Sequence, residues 1–192
     1  MLVYTNYSNS TAKGPQMSDR FFSFVLLPQH QRIDAEAIVA RVKELAGPIG
    51  MSASVLRGEV GDQPAIVEFG GVKISIIAKA EPVPGGTLDR PATTSIGWPG
   101  APEAVAGHSA HVIVGCLDLP RDHEQALHFA VATTLVTAAC LQTAGGLGVY
   151  WATGQLMISP ESYRNAAETI TNKNLPVEDW VNLFWIKGKG KV

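Results

Sequence analysis

Charge of either sign is scarce in this sequence: 17% of its 192 residues are charged, against about 25% in typical domains. The 15 basic and 17 acidic side chains leave a net charge of -2, and so even a balance offers none of the cationic surface that a phosphate backbone attracts. Nucleic acid is not an implied partner. Cysteine is scarcer still. Cys116 and Cys140 lie in the apolar runs Val-Ile-Val-Gly-Cys-Leu and Val-Thr-Ala-Ala-Cys-Leu, where a reduced thiol packs as a small hydrophobe. There is no Cys-X-X-Cys pair and there are too few cysteines for a disulfide scaffold, so nothing demands an oxidising compartment. A cytoplasmic protein is expected.

No apolar run reaches the roughly 20 residues that span a bilayer. The longest candidate, Ala126 to Leu141, is interrupted by His128 and by threonines, which suits a buried helix better than a membrane. Hydrolase signatures are also missing: Ser75, Ser95 and Ser109 lack a Gly-X-Ser-X-Gly elbow, and no carboxylate pair has glycosidase-like surroundings. Gly145-Gly146-Leu147-Gly148 sits after a helical segment and before a strand, the reverse of the order in a phosphate-binding loop. No cofactor or metal is implied, and no catalytic constellation is legible.

What is present is an apolar chain, 46% hydrophobic, of a length that one domain of about 100–200 residues accommodates. Residues 1–16, polar and without an apolar core, read as an unstructured leader or an upstream start, with Met17 directly after them. Residues 17–192 read as the domain.

Phe21 to Leu27, rich in aromatics and stopped by Pro28, predicts a strand buried on both faces. Asp34 then caps an amphipathic helix through Leu45, with Ile38, Val42 and Leu45 at helical spacing and Gly47-Pro48 behind it. Ala53–Leu56, Ala65–Phe69 and Val72–Ala78 predict short strands, the last two joined by Gly70-Gly71 as a tight hairpin. Residues 79–104 carry five prolines and several glycines, so they predict a long loop, with a helical turn at Glu103–Gly107 after it. Ala110–Leu117 predicts a central strand, Arg121–Ala144 a long helix without a polar face, and Leu147–Ala152 a further strand. Ser159-Pro160-Glu161 opens a helix running to about Asn172, and Trp180–Ile186 predicts a last strand. The order predicts an α+β fold: a mixed, largely antiparallel sheet with helices packed mainly on one face.

Trp98-Pro99, His108-Ser109-Ala110-His111, the long Ala/Thr/Leu helix, Gly148-Val149-Tyr150-Trp151, Ser159-Pro160-Glu161 and Leu175-Pro176 before Trp180 follow one another over residues 20–186. In that order they resemble the bacterial domain-of-unknown-function family labelled forty-two sixty-one. The resemblance implies a bacterial cytoplasmic protein and carries no activity or catalytic residues. It also implies a further hairpin-like segment beyond the last tryptophan-rich strand, supplied by this chain or by a partner.

Candidate site residues are few. His108 and His111 lie three apart, a spacing a metal could use on a helix, but the helix-to-strand switch falls between them and further ligands are lacking nearby. A capping or core hydrogen-bonding role is the rival reading. His123 and His128 share no face. Cys140, embedded in an apolar helix, lacks the electropositive opening a reactive thiolate needs. Tyr150, Trp151, Trp180 and Trp185, with Trp98 in the long loop, are either core aromatics or anchors of a protein-binding edge or groove. The Lys187, Lys189 and Lys191 ending reads as a solubilising tail.

The sequence therefore predicts a non-enzymatic protein-binding module, most concretely an immunity-type protein that neutralises a toxin by binding it. The alternative is an enzyme of unknown class with its pocket at the 79–104 loop, Trp98, His108 and His111. Self-association as a homodimer, through the apolar helix or a sheet edge, is the third possibility.

Overall fold

A computed structural model describes residues 21–58, 63–95 and 97–181 of the chain. Seven strands form one sheet: β1 (Phe22–Leu27), β2 (Ala53–Arg57), β3 (Ala65–Phe69), β4 (Val72–Lys79), β5 (Ala110–Cys116), β6 (Gly148–Trp151) and β7 (Leu156–Ile158). Their spatial order is β2-β3-β4-β5-β1-β6-β7. The helices are α1 (Ala35–Ala46), α2 (Asp89–Thr94), α3 (Ala101–Gly107), α4 (His123–Thr143), α5 (Pro160–Glu168) and the single turn α6 (Val177–Trp180). The fold is α+β.

Local chemistry explains most element boundaries. Asp34 accepts the Ala37 N–H at 3.0 Å and Asp122 accepts the Gln125 N–H at 2.8 Å, capping α1 and α4. Gly70 and Gly71 have φ of 55° and 84°, the paired positive values a primed two-residue turn requires, and Phe69 faces Val72 across it. At the end of α4, Gly145 turns left-handed and the Gly146 N–H reaches back to the Leu141 carbonyl at 2.9 Å, a Schellman ending.

The sheet is not mixed: all pairings between the described strands are antiparallel. Two β-helix-β steps suggested parallel neighbours. In the β5-α4-β6 step, however, β1 lies between the two parallel strands and pairs antiparallel with both, giving a split βαβ unit. Further differences concern length. The 79–104 stretch folds into α2 and the start of α3, α5 stops at Glu168 rather than near Asn172, and β7 is an additional strand. Residues 177–180 form a helical turn, so no strand starts at Trp180; the rest of that expected strand lies outside the described residues, as do residues 1–16 and the lysine tail.

One sheet face carries the main core. Val25, Leu27, Val67, Ile74, Ile76, Val112, Val114, Val149 and Trp151 meet α1, α4 and α5 there. Every residue of α4 from Phe129 to Leu141 is buried, as a helix with no polar face requires. Among the described residues α4 is the helix long and apolar enough to cross a membrane, and its burial within the fold makes it the core helix. Arg41 of α1 ties the helix layer together, donating to Gln142 of α4 at 2.6 Å and pairing with Glu168 of α5 at 3.0 Å.

Inside this layer some buried polar atoms, Gln142 Nε2, Trp151 Nε1 and Tyr163 OH, have no hydrogen-bond partner among the described residues, while others are paired. Ser23 and Thr137 share a hydrogen bond of 2.6 Å with no solvent exposure at either residue. Thr137→Val should leave the Ser23 hydroxyl orphaned and cost about 1–3 kcal/mol, read from the midpoint of a denaturant curve. The double variant with Ser23→Ala should recover part of that loss.

Candidate functional site

The described residues cover only half of the opposite face of the sheet. α2, α3 and the segment leading to them lie over its β1-β6-β7 end, where Val83, Leu88, Ala92, Ala101 and the half-buried Trp98 enclose Leu26, Tyr150 and Met157 in a second, smaller core. Across β2 to β5 the same face carries no helix among the described residues. Alternation along the strands places Phe22 and Phe24 of β1, Ile66 of β3, Ile77 of β4 and Ile113 of β5 there, and all five are only partly buried. Strand register joins them: Ile77 faces Ile113, Ile113 faces Phe24, and Phe24 faces Tyr150, which faces Met157. One apolar row thus runs from the open half to beneath the cover. A second row, Ile66-Ser75-Gly115-Phe22, lies alongside. Gly115 is small for a reason, since a Cβ there would come within 3.2 Å of the Phe22 Cβ. Lys73, Lys79 and Glu68 border the rows with charge.

Three of the residues that the sequence singled out, Trp98, His108 and His111, lie at the junction of the cover and the sheet. His108 accepts the Val83 N–H at Nε2 (3.0 Å) and is bonded through Nδ1 to the Val105 carbonyl. A carbonyl only accepts, so Nδ1 carries the proton and the ring is the neutral tautomer. His111, 3% exposed, is bonded through Nδ1 to the Glu81 carbonyl at 2.8 Å and meets the Phe24 ring nearly edge-on at 5.5 Å. Burial lowers its pKa below the usual 6.5, opposed by the Glu81 hydrogen bond and reinforced by the neighbouring His108. Trp98 lies over Gly148. Ser95, weighed in the sequence only as a nucleophile and lacking an elbow, donates to the Pro91 carbonyl and accepts the Met157 N–H of edge strand β7 at 2.8 Å each. The same loss of a partner applies here: Ser95→Ala should strand the Met157 N–H and cost about 1–3 kcal/mol, with hydrogen exchange at Met157 as its readout.

The remaining aromatics sit elsewhere. Tyr150 belongs to the small core under the cover, and burial raises its pKa. Trp151 is on the helix side with no exposed surface, so its indole touches nothing outside the fold. β6, which carries both, is second from the sheet edge rather than at it. Trp180 donates from Nε1 to Thr134 of α4 at 2.9 Å. Trp185 lies outside the described residues.

Among the described residues no cysteine is hydrogen-bonded to a histidine or carboxylate base. Burial raises the Cys116 thiol to about 11, against a Thr133 hydrogen bond that lowers it, and pushes Cys140 up as well. Both are free and buried. His128 is bonded to the Gly70 carbonyl at 3.0 Å, and His123 is exposed at the start of α4. Among the described residues no group of three His, Cys, Asp or Glu side chains gathers around one point.

Two cavities lie away from these residues. One of about 40 Å³ opens on the helix side between Ile33, Ile38, Val112 and Cys140, far below the several hundred cubic ångströms of small-molecule sites. An open depression of about 400 Å³ lies beside Arg32, Asp34, Glu36 and Val55. Neither is lined by Trp98, His108 or His111. No family model, no curated protein and no solved structure matches this chain.

Proposed function

We propose that this protein works by holding another protein against the open half of its sheet. One observation carries the reading: β1 is apolar on both faces, its second-face Phe22 and Phe24 continue into Ile66, Ile77 and Ile113 of β3 to β5, and among the described residues that face has a cover at one end alone. A strand facing water alternates apolar with polar residues, while near-continuous apolar runs belong to strands buried on both sides. Scattered surface hydrophobes need no explanation, whereas a contiguous patch with a charged border has the make-up of an interface. Here Phe22, Phe24, Ile66, Ile77 and Ile113 form the patch, and an apolar surface of a folded partner fits it.

A bacterial cytoplasmic immunity-type role, neutralising a toxin by occlusion, is the most concrete form of this function. It requires a complementary surface and no reacting groups. The enzyme alternative has less support. Both ring nitrogens of His108 are engaged by backbone, and His111 is nearly without exposed surface, so neither is free to take a substrate proton.

The test is Ile77→Asp with Ile113→Asp, a cross-strand pair whose partial exposure lets the fold survive. A partner retained from host extract by the wild-type chain should be lost by at least about tenfold, roughly 1.4 kcal/mol, with the circular dichroism of the folded chain kept although the facing carboxylates lower its thermal stability. Equal retention by the folded variant would refute the assignment. If the partner is a second copy, the wild-type solution mass should instead be that of a dimer and fall by half in the variant.

A further inference from the structure

The open half of the sheet is bordered by charge of mainly one sign. Among the described residues of β1 to β5, Arg57, Lys73 and Lys79 are exposed cations and Glu68 is the one carboxylate. Register gives their places: Arg57 stands opposite Ile66 after the bulge in β2, Lys73 opposite Glu68, and Lys79 opposite His111. The cations therefore mark both ends of β4 and the β2 margin, around Ile66, Ile77 and Ile113. Arg57 donates from Nε to the Pro64 carbonyl at 3.2 Å, and among the described residues no ion pair includes any of the three.

The covered half shows what seats on an apolar row of this sheet. There Ala92 of α2 and Ala101 of α3 pack with Tyr150 and Met157, and Phe24, Ile113 and Ile77 continue that same row into the open. From β1 to β3 lie three strand spacings of about 4.8 Å, about 14 Å in all. One helix, about 10–12 Å across with its side chains, fills that width.

We infer that the partner presents an amphipathic helix whose apolar stripe lies on Phe24, Ile113 and Ile77 beside the cover, with carboxylates flanking the stripe to meet Arg57, Lys73 and Lys79. The inference rests on the open face being the binding surface, and it adds the shape and the charge of what binds. A second copy of the open face is a poor occupant, because two such faces oppose three cations to three with one glutamate apiece. An anionic membrane is a poor one too, since a chain of net charge -2 offers it no long-range attraction.

Two labelled synthetic helical peptides test this by fluorescence anisotropy. Both carry one leucine and phenylalanine stripe, flanked by glutamates in the first and by lysines in the second. The glutamate peptide should bind at least about fivefold more tightly at about 0.01 M salt, a ratio falling toward one at about 1 M, where the Debye length is about 3 Å. Lys73→Gln with Lys79→Gln should cut that ratio at least about twofold, and both side chains are exposed, so the fold tolerates the change. Equal binding of the two peptides, lost for both in Ile77→Asp with Ile113→Asp, would overturn the acidic helix and leave the sheet-face reading standing. Glutamate-peptide binding untouched by the isoleucine pair would overturn the inference by placing the helix elsewhere, as would binding of neither peptide or a ratio unchanged by the lysine pair. Sedimentation of the chain with phosphatidylserine vesicles, lost in the lysine variant, would overturn it by assigning the cations to a membrane.

Discussion

Trp151→Ala should destabilise the protein by about 3–5 kcal/mol, a large share of the roughly 5–15 kcal/mol that holds a domain folded. The indole has no exposed surface, lies in the main core with Tyr163 and Ile158, and stands 6.5 Å from the Phe21 ring. Its strand pairs with both β1 and β7, so a cavity there loosens two ladders and the seat of α5 together. Trp151→Phe should cost less, about 1–3 kcal/mol, because the indole Nε1 has no protein partner among the described residues and its loss orphans no acceptor. Denaturant unfolding of the three proteins gives both numbers. A loss under about 1 kcal/mol for the alanine variant would mean that the indole is not packed, and would return Trp151 to the role of an interface anchor.

Gly148→Ala should cost about 1–3 kcal/mol, although an alanine in a strand normally stabilises by restricting the unfolded chain. The added Cβ would stand 2.3 Å from Cη2 and 2.6 Å from Cζ3 of Trp98, so the indole must lift and take the cover with it. In a Trp98→Ala background the same substitution should be nearly neutral, giving a coupling of about 0.5–3 kcal/mol. Additive costs in that cycle would mean that the indole does not rest on β6 in solution. The strand residue was predicted; the contact that makes it glycine was not.

That contrast holds across the chain. Asp34, Gly70-Gly71 and Gly145-Gly146 were legible because each acts on backbone within a few residues of itself; Asp122, which caps α4, was not singled out. β7 was not, since Leu156–Ile158 is too short to show alternation. α2 was hidden by Pro91, which falls in the first turn of the helix, where no intrahelical donor is needed. The helical turn over residues 177–180, behind Pro176, carries no apolar periodicity long enough to show, and it meets the strand predicted over 180–186 at Trp180 alone. The sheet was read as mixed because β5-α4-β6 looks like a parallel unit until β1 is found between its strands.

The site was legible in the same uneven way. His108 and His111 could be recognised as hydrogen-bonding residues, yet their partners, Val83 and Glu81, lie 25 and 30 positions away and are backbone atoms with no side-chain signature. The run from Phe21 to Leu27 was visible as a strand buried on both faces, and Ala110 to Leu117 as a central strand. Which part of the second face stays open depends on where α2 and α3 settle, and that is set by Trp98 on Gly148 and Ser95 on Met157.

The most direct measurement places a photoreactive amino acid at position 113, in the middle of the open row, and another at position 164, on the exposed side of α5. After irradiation in host extract, the chain labelled at 113 should carry one discrete protein adduct by mass spectrometry and the chain labelled at 164 none. An adduct from 164 with none from 113 would contradict the account, because the partner would then be meeting the helices and not the sheet.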